Sequence, residues 1–162
     1  ITAGRLILVE GAMPPPRKRG KRADFLLYYR RGYPIAVVEA KASYKKPGDG
    51  LQQAKEYAEM LGIKFAFSTN GKGIIEHDYL TGKERETDAF PSADELWQRL
   101  QKAEGLEGKV GESLLTPPHH VPGKVPRYYQ EIAINRAVQA VLQGKRRALL
   151  TMATGTGKTF SG

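Results

Sequence analysis

Cysteine is absent from the 162 residues, so disulfide bonds and thiolate metal sites are excluded from this stretch of chain. The same absence suits a reducing cytoplasm. No apolar run approaches the ~20 residues that a membrane-spanning helix needs, so no membrane partner is predicted. Acidic residues number only 17 against 26 basic ones, and the formal net charge is +9. This excess favours polyanionic partners such as nucleic acid, without identifying one.

The chain is long enough for one domain, or for a small domain with part of another. Hydrophobic residues make up 40% of it, which permits a packed core. The sequence opens on Ile1 and stops three residues after Thr159. We therefore expect a fragment of a longer protein.

A basic segment follows three prolines near the start of the chain. Proline and dense like charge disfavour a packed element, so we predict an exposed loop. The loop is either a solvated surface or a contact to the phosphate backbone of DNA. Its basic residues are Arg17, Lys18, Arg19, Lys21 and Arg22.

The middle of the chain has the pattern of a small α/β unit, with apolar and β-branched runs, turn residues and stretches of helical periodicity. A glycine, Gly62, ends the most regular helical stretch. The predicted elements are strands at 23–29, 35–38, 65–68 and 73–78 and helices at 51–61 and 94–103.

Composition changes at residues 104–126, which hold four glycines and four prolines and lack periodicity. We interpret this segment as an interdomain linker. A predicted helix follows from about residue 127, and an apolar strand at 148–152 leads directly into a glycine-rich loop.

That loop, Ala-Thr-Gly-Thr-Gly-Lys-Thr at 153–159, predicts a phosphate-binding loop. Glycines allow backbone N–H groups to surround phosphate oxygens, the lysine adds a charge at the β- and γ-phosphates, and the final threonine offers its hydroxyl to Mg²⁺. Met152 stands where the general pattern has glycine, and the variant resembles motif I of superfamily two helicases and translocases. The residues predicted to bind ATP here are Thr154, Gly155, Thr156, Gly157, Lys158 and Thr159.

A second segment supports ATP as the cofactor. Residues 126–130 resemble the adenine-binding segment of such motors, which assigns Gln130 to the adenine edge and Arg127 to a place beside it. A glutamine amide can both donate to and accept from that edge.

Two carboxylates and a lysine fall at the ends of the predicted hairpin strands. Period-two geometry puts Glu39 and Lys41 on one face of their strand, and antiparallel pairing brings Asp24 near them. Two carboxylates suit a divalent cation such as Mg²⁺, which would polarise a phosphodiester and help ionise a water. The alternative is a surface hairpin with one salt bridge.

Gln53 and Tyr57 lie at i and i+4 on the next predicted helix and face one way. With the Asp24, Glu39 and Lys41 set they resemble the PD-(D/E)xK nucleases that carry an added Gln-x-x-x-Tyr helix. Together with Ser-Thr-Asn-Gly at 68–71 and the two ATP motifs, the order resembles the start of the motor (R) subunit of type I restriction enzymes.

The resemblance implies an α/β fold: a restriction-endonuclease-like mixed sheet with flanking helices at 1–103, a linker at 104–126, and the start of a RecA-like motor at 127–162. An acidic residue from an earlier helix often completes such a site, and that helix is expected to precede Ile1. The family implies Mg²⁺ and ATP as cofactors, double-stranded DNA as substrate, methyltransferase (M) and specificity (S) subunits as partners, and a bacterial or archaeal cytoplasm. The fragment alone is not expected to hydrolyse ATP.

Two alternatives stay open at this point. One is a helicase or translocase whose front domain only binds DNA, the carboxylates being structural. The other is a repair nuclease–helicase that acts without partner subunits.

Overall fold

A computed structural model describes residues 23–116, 126–147 and 149. Its strands are β1 (Phe25–Arg30), β2 (Tyr33–Ala40), β3 (Phe65–Thr69), β4 (Ile74–Asp78) and β5 (Lys83–Thr87). Its helices are α1 (Leu51–Leu61), α2 (Ala93–Glu104), α3 (Lys109–Leu115) and α4 (Tyr128–Leu142), and a short 3-10 helix (Pro47–Gly50) precedes α1.

The five strands form one mixed sheet in the order β1-β2-β3-β4-β5. β1 and β2 are an antiparallel hairpin, and β3, β4 and β5 are antiparallel neighbours. The central pair, β2 and β3, is parallel, and α1 makes the crossover between them. The predicted mixed sheet with flanking helices is therefore present in the described residues.

The central strands are buried on both faces, which explains the β-branched run in β2. On one face, Phe65 and Phe67 pack with Leu96 and Trp97 of α2. On the other face the second core cluster forms between the sheet and α1. It consists of Val37, Ala54, Tyr57, Ala58, Leu61, Ile63 and Ala66.

The helix boundaries follow from their capping residues. α1 ends at Gly62, whose φ of 63° is in the left-handed region that glycine adopts without strain. α2 begins at Ser92, whose hydroxyl accepts a hydrogen bond from the Glu95 nitrogen at 3.1 Å. Both helices occur where apolar periodicity predicted them, within one residue at each end.

A buried ion cluster ties α2 to the sheet. Glu76 of β4 is fully buried, and its carboxylate accepts from Arg99 of α2 at 2.5 Å and from Arg85 of β5 at 2.7 Å. Arg99 also donates to Asp78 at 2.5 Å and lies over the Phe65 ring, 4.7 Å from its centre. Pairing of this kind is what allows a charged side chain to be buried.

Two elements were missed by the sequence patterns. β5 is polar and almost wholly exposed, so it has no apolar alternation to reveal it. α3 lies inside the segment interpreted as a linker, and its Leu114 packs into the first core cluster. Residues 109–115 thus form a packed helix where no element was predicted, and the assignment of 104–126 as an interdomain linker stays a prediction.

α4 packs against the sheet unit. The Asn135 amide donates to the Gly32 carbonyl at 2.7 Å, and the Arg136 guanidinium donates to the Leu61 carbonyl at 2.7 Å. The assignment of residues 127–162 to a separate motor domain stays a prediction, because residues 148 and 150–162 lie outside the described part. Among the helices of the described ranges, none has both the length and the apolar character to span a membrane.

Candidate active site

The candidate site lies at the carboxyl end of β2, on the face that α1 covers. Phe25 pairs with Val38 across the hairpin, so the residues one step further, Asp24 and Glu39, stand opposite each other. The Asp24 carboxylate accepts a hydrogen bond from the Ala40 nitrogen at 2.8 Å. The hairpin thus holds Asp24 against the strand that carries Glu39.

Lys41 forms hydrogen bonds with two other residues of the site. Its ammonium group donates to Glu39 Oε1 at 2.8 Å and to Gln53 Oε1 at 3.2 Å. Gln53 lies in the first turn of α1, so the helix start supplies the amide that orients the lysine. The structure therefore brings Glu39, Lys41 and Gln53 into contact, and it holds Asp24 at the nitrogen of Ala40, the residue after Glu39.

Glu39 is 3% exposed, and its second oxygen, Oε2, is buried without a hydrogen-bond partner among the described residues. An ionised carboxylate oxygen left without a partner is costly to bury. A cation at that oxygen would remove the cost.

No group of three or more Asp, Glu, His or Cys side chains with metal-binding geometry occurs within residues 23–116 and 126–147. Two carboxylates still fit Mg²⁺, which commonly binds through one or two and keeps several waters.

A glycine at the start of α1 makes this close packing possible. A Cβ added to Gly50 would stand 2.8 Å from Glu39 Cγ, 2.9 Å from Lys41 Cε and 2.7 Å from Ser68 Oγ. Any side chain at this position would therefore push into the Glu39–Lys41 pair.

Sequence reasoning gave Ser68 and Asn70 no role in the site. Ser68 pairs with Glu39 across the parallel strands, is fully buried, and donates its hydroxyl to the Pro47 carbonyl at 2.5 Å. The Asn70 amide donates to the Lys45 carbonyl at 2.7 Å. Both side chains hold the segment between Lys41 and α1. The only sign of these two residues in the sequence is the Ser-Thr-Asn-Gly stretch at 68–71, which contributes to the family resemblance but gives neither residue a role.

Tyr57 lies on the same side of α1 as Gln53, one turn further from the site. It is 1% exposed and packs within the second core cluster, with Ala54 and Leu61. Period-3.6 spacing places both residues on the inner side of the helix, and the structure gives only Gln53 a hydrogen bond to Lys41.

The proposed adenine-binding residues stand at the start of α4. The Gln130 side-chain oxygen accepts from the Arg127 nitrogen at 2.8 Å, and Gln130 is 6% exposed. Arg127 donates to the Tyr129 hydroxyl at 3.0 Å. Two further predicted sites lie outside the described residues: the basic segment Arg17, Lys18, Arg19, Lys21, Arg22 and the phosphate loop Thr154–Thr159.

Comparison with known proteins shows similarity to subunits of restriction enzymes. Two family models match the chain: "Type I restriction enzyme R protein N terminus (HSDR_N)" over residues 6–91, and "Type III restriction enzyme, res subunit" over residues 123–161. The endonuclease subunit of the type I restriction enzyme EcoAI from Escherichia coli is 41% identical over 163 aligned residues, covering 96% of this chain and 20% of that protein. The corresponding EcoKI subunit of E. coli strain K12 is 31% identical over 137 residues, which cover 76% of this chain and 11% of that protein.

A solved structure is also similar. A fragment of a candidate HsdR subunit of a type I restriction enzyme from Vibrio vulnificus YJ016 has a TM-score of 0.79 and 59% identity, covering 90% of this chain and 28% of that one. A mixed sheet with an acidic pair and a lysine at one strand end is an arrangement typical of nucleases. The chain belongs to the family of type I restriction enzyme R protein N termini. It spans about a fifth of the EcoAI subunit and about a tenth of the EcoKI subunit.

Proposed function

We propose that the described domain is the DNA-cleaving part of a type I restriction R subunit, which hydrolyses phosphodiester bonds of duplex DNA with Mg²⁺. The observation that carries this proposal is the buried, unpartnered Oε2 of Glu39, on a carboxylate whose other oxygen contacts the Lys41 ammonium and whose chain neighbour Ala40 holds Asp24. A merely structural salt bridge has no need to leave one buried carboxylate oxygen without a partner.

Asp24 and Glu39 are the residues that would hold the cation. When bound, Mg²⁺ supplies Lewis-acid polarisation of the phosphate and lowers the pKa of a bound water. The Lys41 ammonium is held by Glu39 and Gln53. It would orient the attacking water or neutralise the charge that develops on the phosphate. Gln53 is a positioning residue, because its amide contacts the lysine.

Residues from 127 onward would begin the motor. The phosphate loop at Thr154–Thr159 would bind ATP, with Lys158 at the β- and γ-phosphates and Thr159 on Mg²⁺, and Gln130 and Arg127 would bind the adenine. ATP hydrolysis would drive translocation of duplex DNA in an assembly with M and S subunits. The family match at residues 123–161 supports this part.

The test uses the full-length R subunit reconstituted with its M and S subunits. Asp24→Ala, Glu39→Ala and Lys41→Ala are each expected to abolish linearisation of a circular unmethylated plasmid while DNA-stimulated ATP turnover stays near normal. Lys158→Ala is the reciprocal control and should abolish both ATP turnover and translocation. Loss of a metal carboxylate removes the ligand of the cation, so we expect cleavage to fall by several orders of magnitude.

Two outcomes would favour other functions. If Glu39→Ala still linearises the plasmid, the carboxylates are structural and a DNA-binding front domain on a translocase is preferred. If the wild-type R subunit cuts DNA without M and S, a nuclease–helicase that acts alone is preferred.

A further inference from the structure

The segment that joins β2 to the 3-10 helix presents a lysine-rich surface with one aromatic ring beside the candidate site. We infer that Tyr44, Lys45 and Lys46, with Lys72 of the neighbouring turn, grip the sugar–phosphate backbone of DNA next to the phosphate being cut. We call these four residues the grip surface. The inference rests on the proposed nuclease function, because it takes DNA as the ligand.

Tyr44 is exposed to an unusual degree. Tyr44 is 84% exposed, against 40% for Tyr28 and 1% for the buried Tyr57. A tyrosine ring normally buries much of its large surface, and exposed tyrosines are enriched where one face meets a partner and the hydroxyl needs a hydrogen bond. The backbone of nucleic acids offers both, since tyrosine hydroxyls contact phosphate oxygens.

The segment that carries the ring is held in place. The Lys45 nitrogen donates to the Ala42 carbonyl at 2.9 Å, which closes a turn around Tyr44. The Asn70 amide donates to the Lys45 carbonyl at 2.7 Å, and the Lys46 nitrogen donates to the Asp49 carboxylate at 3.2 Å. The backbone of the segment is thus preorganised, so binding would order the side chains but little of the backbone.

The grip surface combines the segment between β2 and α1 with the turn between β3 and β4. Asn70 also accepts from the Lys72 nitrogen at 2.9 Å and from the Gly73 nitrogen at 3.0 Å. A Cβ added at Gly73 would meet Pro47 Cγ at 2.9 Å, so the turn and the β2–α1 segment are in close contact. Asn70 therefore fixes Lys72 relative to Lys45.

Charge and position point to the same ligand. Lys45, Lys46 and Lys72 are all exposed, and the acidic Asp49 has its carboxylate directed at the Lys46 backbone. The segment begins directly after Lys41, which contacts Glu39 at 2.8 Å. A phosphate at that pair would leave the adjoining phosphates of the same strand near the grip surface. Lysine ammonium groups neutralise such phosphates and release their counterions.

The first experiment locates the DNA. The photoreactive amino acid p-benzoylphenylalanine replaces Tyr44 in the full-length R subunit, assembled with M and S on a labelled duplex that carries the recognition site. The control places it at Met60, an exposed residue of the same helix-and-loop unit at the far end of α1. Met60 lies seven residues after Gln53 on α1, which is roughly 10 Å along the helix. We expect crosslinking to DNA from position 44 and at least tenfold less from position 60.

The second experiment tests the lysines. The Lys45→Gln/Lys46→Gln double variant should flatten the dependence of log cleavage efficiency on log salt by about 1 to 2, since each lost phosphate contact contributes about 0.9. A matched double variant, Lys83→Gln/Lys102→Gln, removes two exposed lysines from β5 and α2 and should leave the slope unchanged. Tyr44→Ala should lower cleavage about tenfold, and Tyr44→Phe should recover part of that loss.

The outcomes separate this inference from the proposed function. Glu39→Ala combined with the position-44 probe should abolish cleavage and keep the crosslink to DNA. If Glu39→Ala cuts normally, the proposed function fails whatever position 44 contacts. If the wild type cuts but position 44 crosslinks to protein or to nothing, and the Lys45→Gln/Lys46→Gln slope equals that of the control, the grip surface is overturned and the nuclease proposal stands.

Discussion

The Ser68 hydroxyl accepts a hydrogen bond from the Gly50 nitrogen at 3.1 Å, and this contact fastens the start of α1 to the end of β3. The same hydroxyl donates to the Pro47 carbonyl at 2.5 Å. Because Gly50 also lies against the Glu39 and Lys41 side chains, the position of these two groups depends on a serine that contacts neither substrate nor cation in the proposed mechanism.

Gly50→Ala is expected to damage cleavage far more than folding. The added methyl group would stand 2.8 Å from Glu39 Cγ and 2.9 Å from Lys41 Cε, closer than real Cβ contacts come, so the ion pair must shift. We expect plasmid cleavage to fall at least tenfold while ATP turnover is unchanged. Gly48→Ala is the matched control, because its nearest neighbour is Ile75 Cγ1 at 3.8 Å. Equal activity of the two variants would contradict the proposed geometry.

Ser68→Ala should destabilise the protein and disturb the site together. The change leaves the Gly50 nitrogen and the Pro47 carbonyl without their buried partner, which costs about 1–3 kcal/mol. Chemical denaturation measures that cost, and plasmid cleavage measures the displacement. Ser43→Ala removes an exposed hydroxyl and should change neither quantity. A Ser68→Ala protein as stable and as active as the Ser43→Ala protein would show that the hydrogen bonds are dispensable.

The two arginines on Glu76 should differ sharply in their contribution to stability. Arg99 is 24% exposed and serves both Glu76 and Asp78, whereas Arg85 is 54% exposed. Removing one partner of a buried pair costs about 3–5 kcal/mol, and the cost is smaller at Arg85, because solvent already reaches that arginine and can replace part of the lost contact. Arg99→Met should therefore lower the free energy of unfolding by several times more than Arg85→Met. Similar losses for both would mean that solvent reaches the Glu76 carboxylate.

The docking of α4 is testable by hydrogen exchange. Asn135→Ala and Arg136→Ala each remove one side-chain hydrogen bond to a backbone carbonyl, those of Gly32 and Leu61. Together they should cost about 1–3 kcal/mol and speed amide exchange across α4, with little change in β2 or β3. Val141→Ala, at a residue 68% exposed, is the control. Unchanged exchange in the double variant would show that α4 is held by other contacts.

The sequence predicted the elements whose pattern is set by burial. β2 is apolar because both its faces are covered, and α1 is periodic because one side of it is covered. Glu39 and Lys41 were predicted on one face of their strand, and the structure places Lys41 Nζ 2.8 Å from Glu39 Oε1. Such regularities are local in the chain, so they can be recognised without knowledge of the tertiary structure.

The remaining features depend on long-range contacts. Ser68 resembles any small polar residue in a strand until the parallel pairing sets it beside Glu39. Tyr57 and Gln53 share one side of a helix, and only the depth of packing places the ring in the core and the amide at the lysine. α3 was hidden because glycines and prolines around it dominate the composition of residues 104–126.

The polar strand β5 is the last strand at its edge of the described sheet. Its five residues read Lys-Glu-Arg-Glu-Thr, with both signs of charge alternating along this edge of the described sheet. A further strand joining there would have to strip water from these charges, and charged edges of this kind oppose intermolecular sheet extension. The strand that sequence periodicity overlooked thus gives this edge of the sheet protection against self-association.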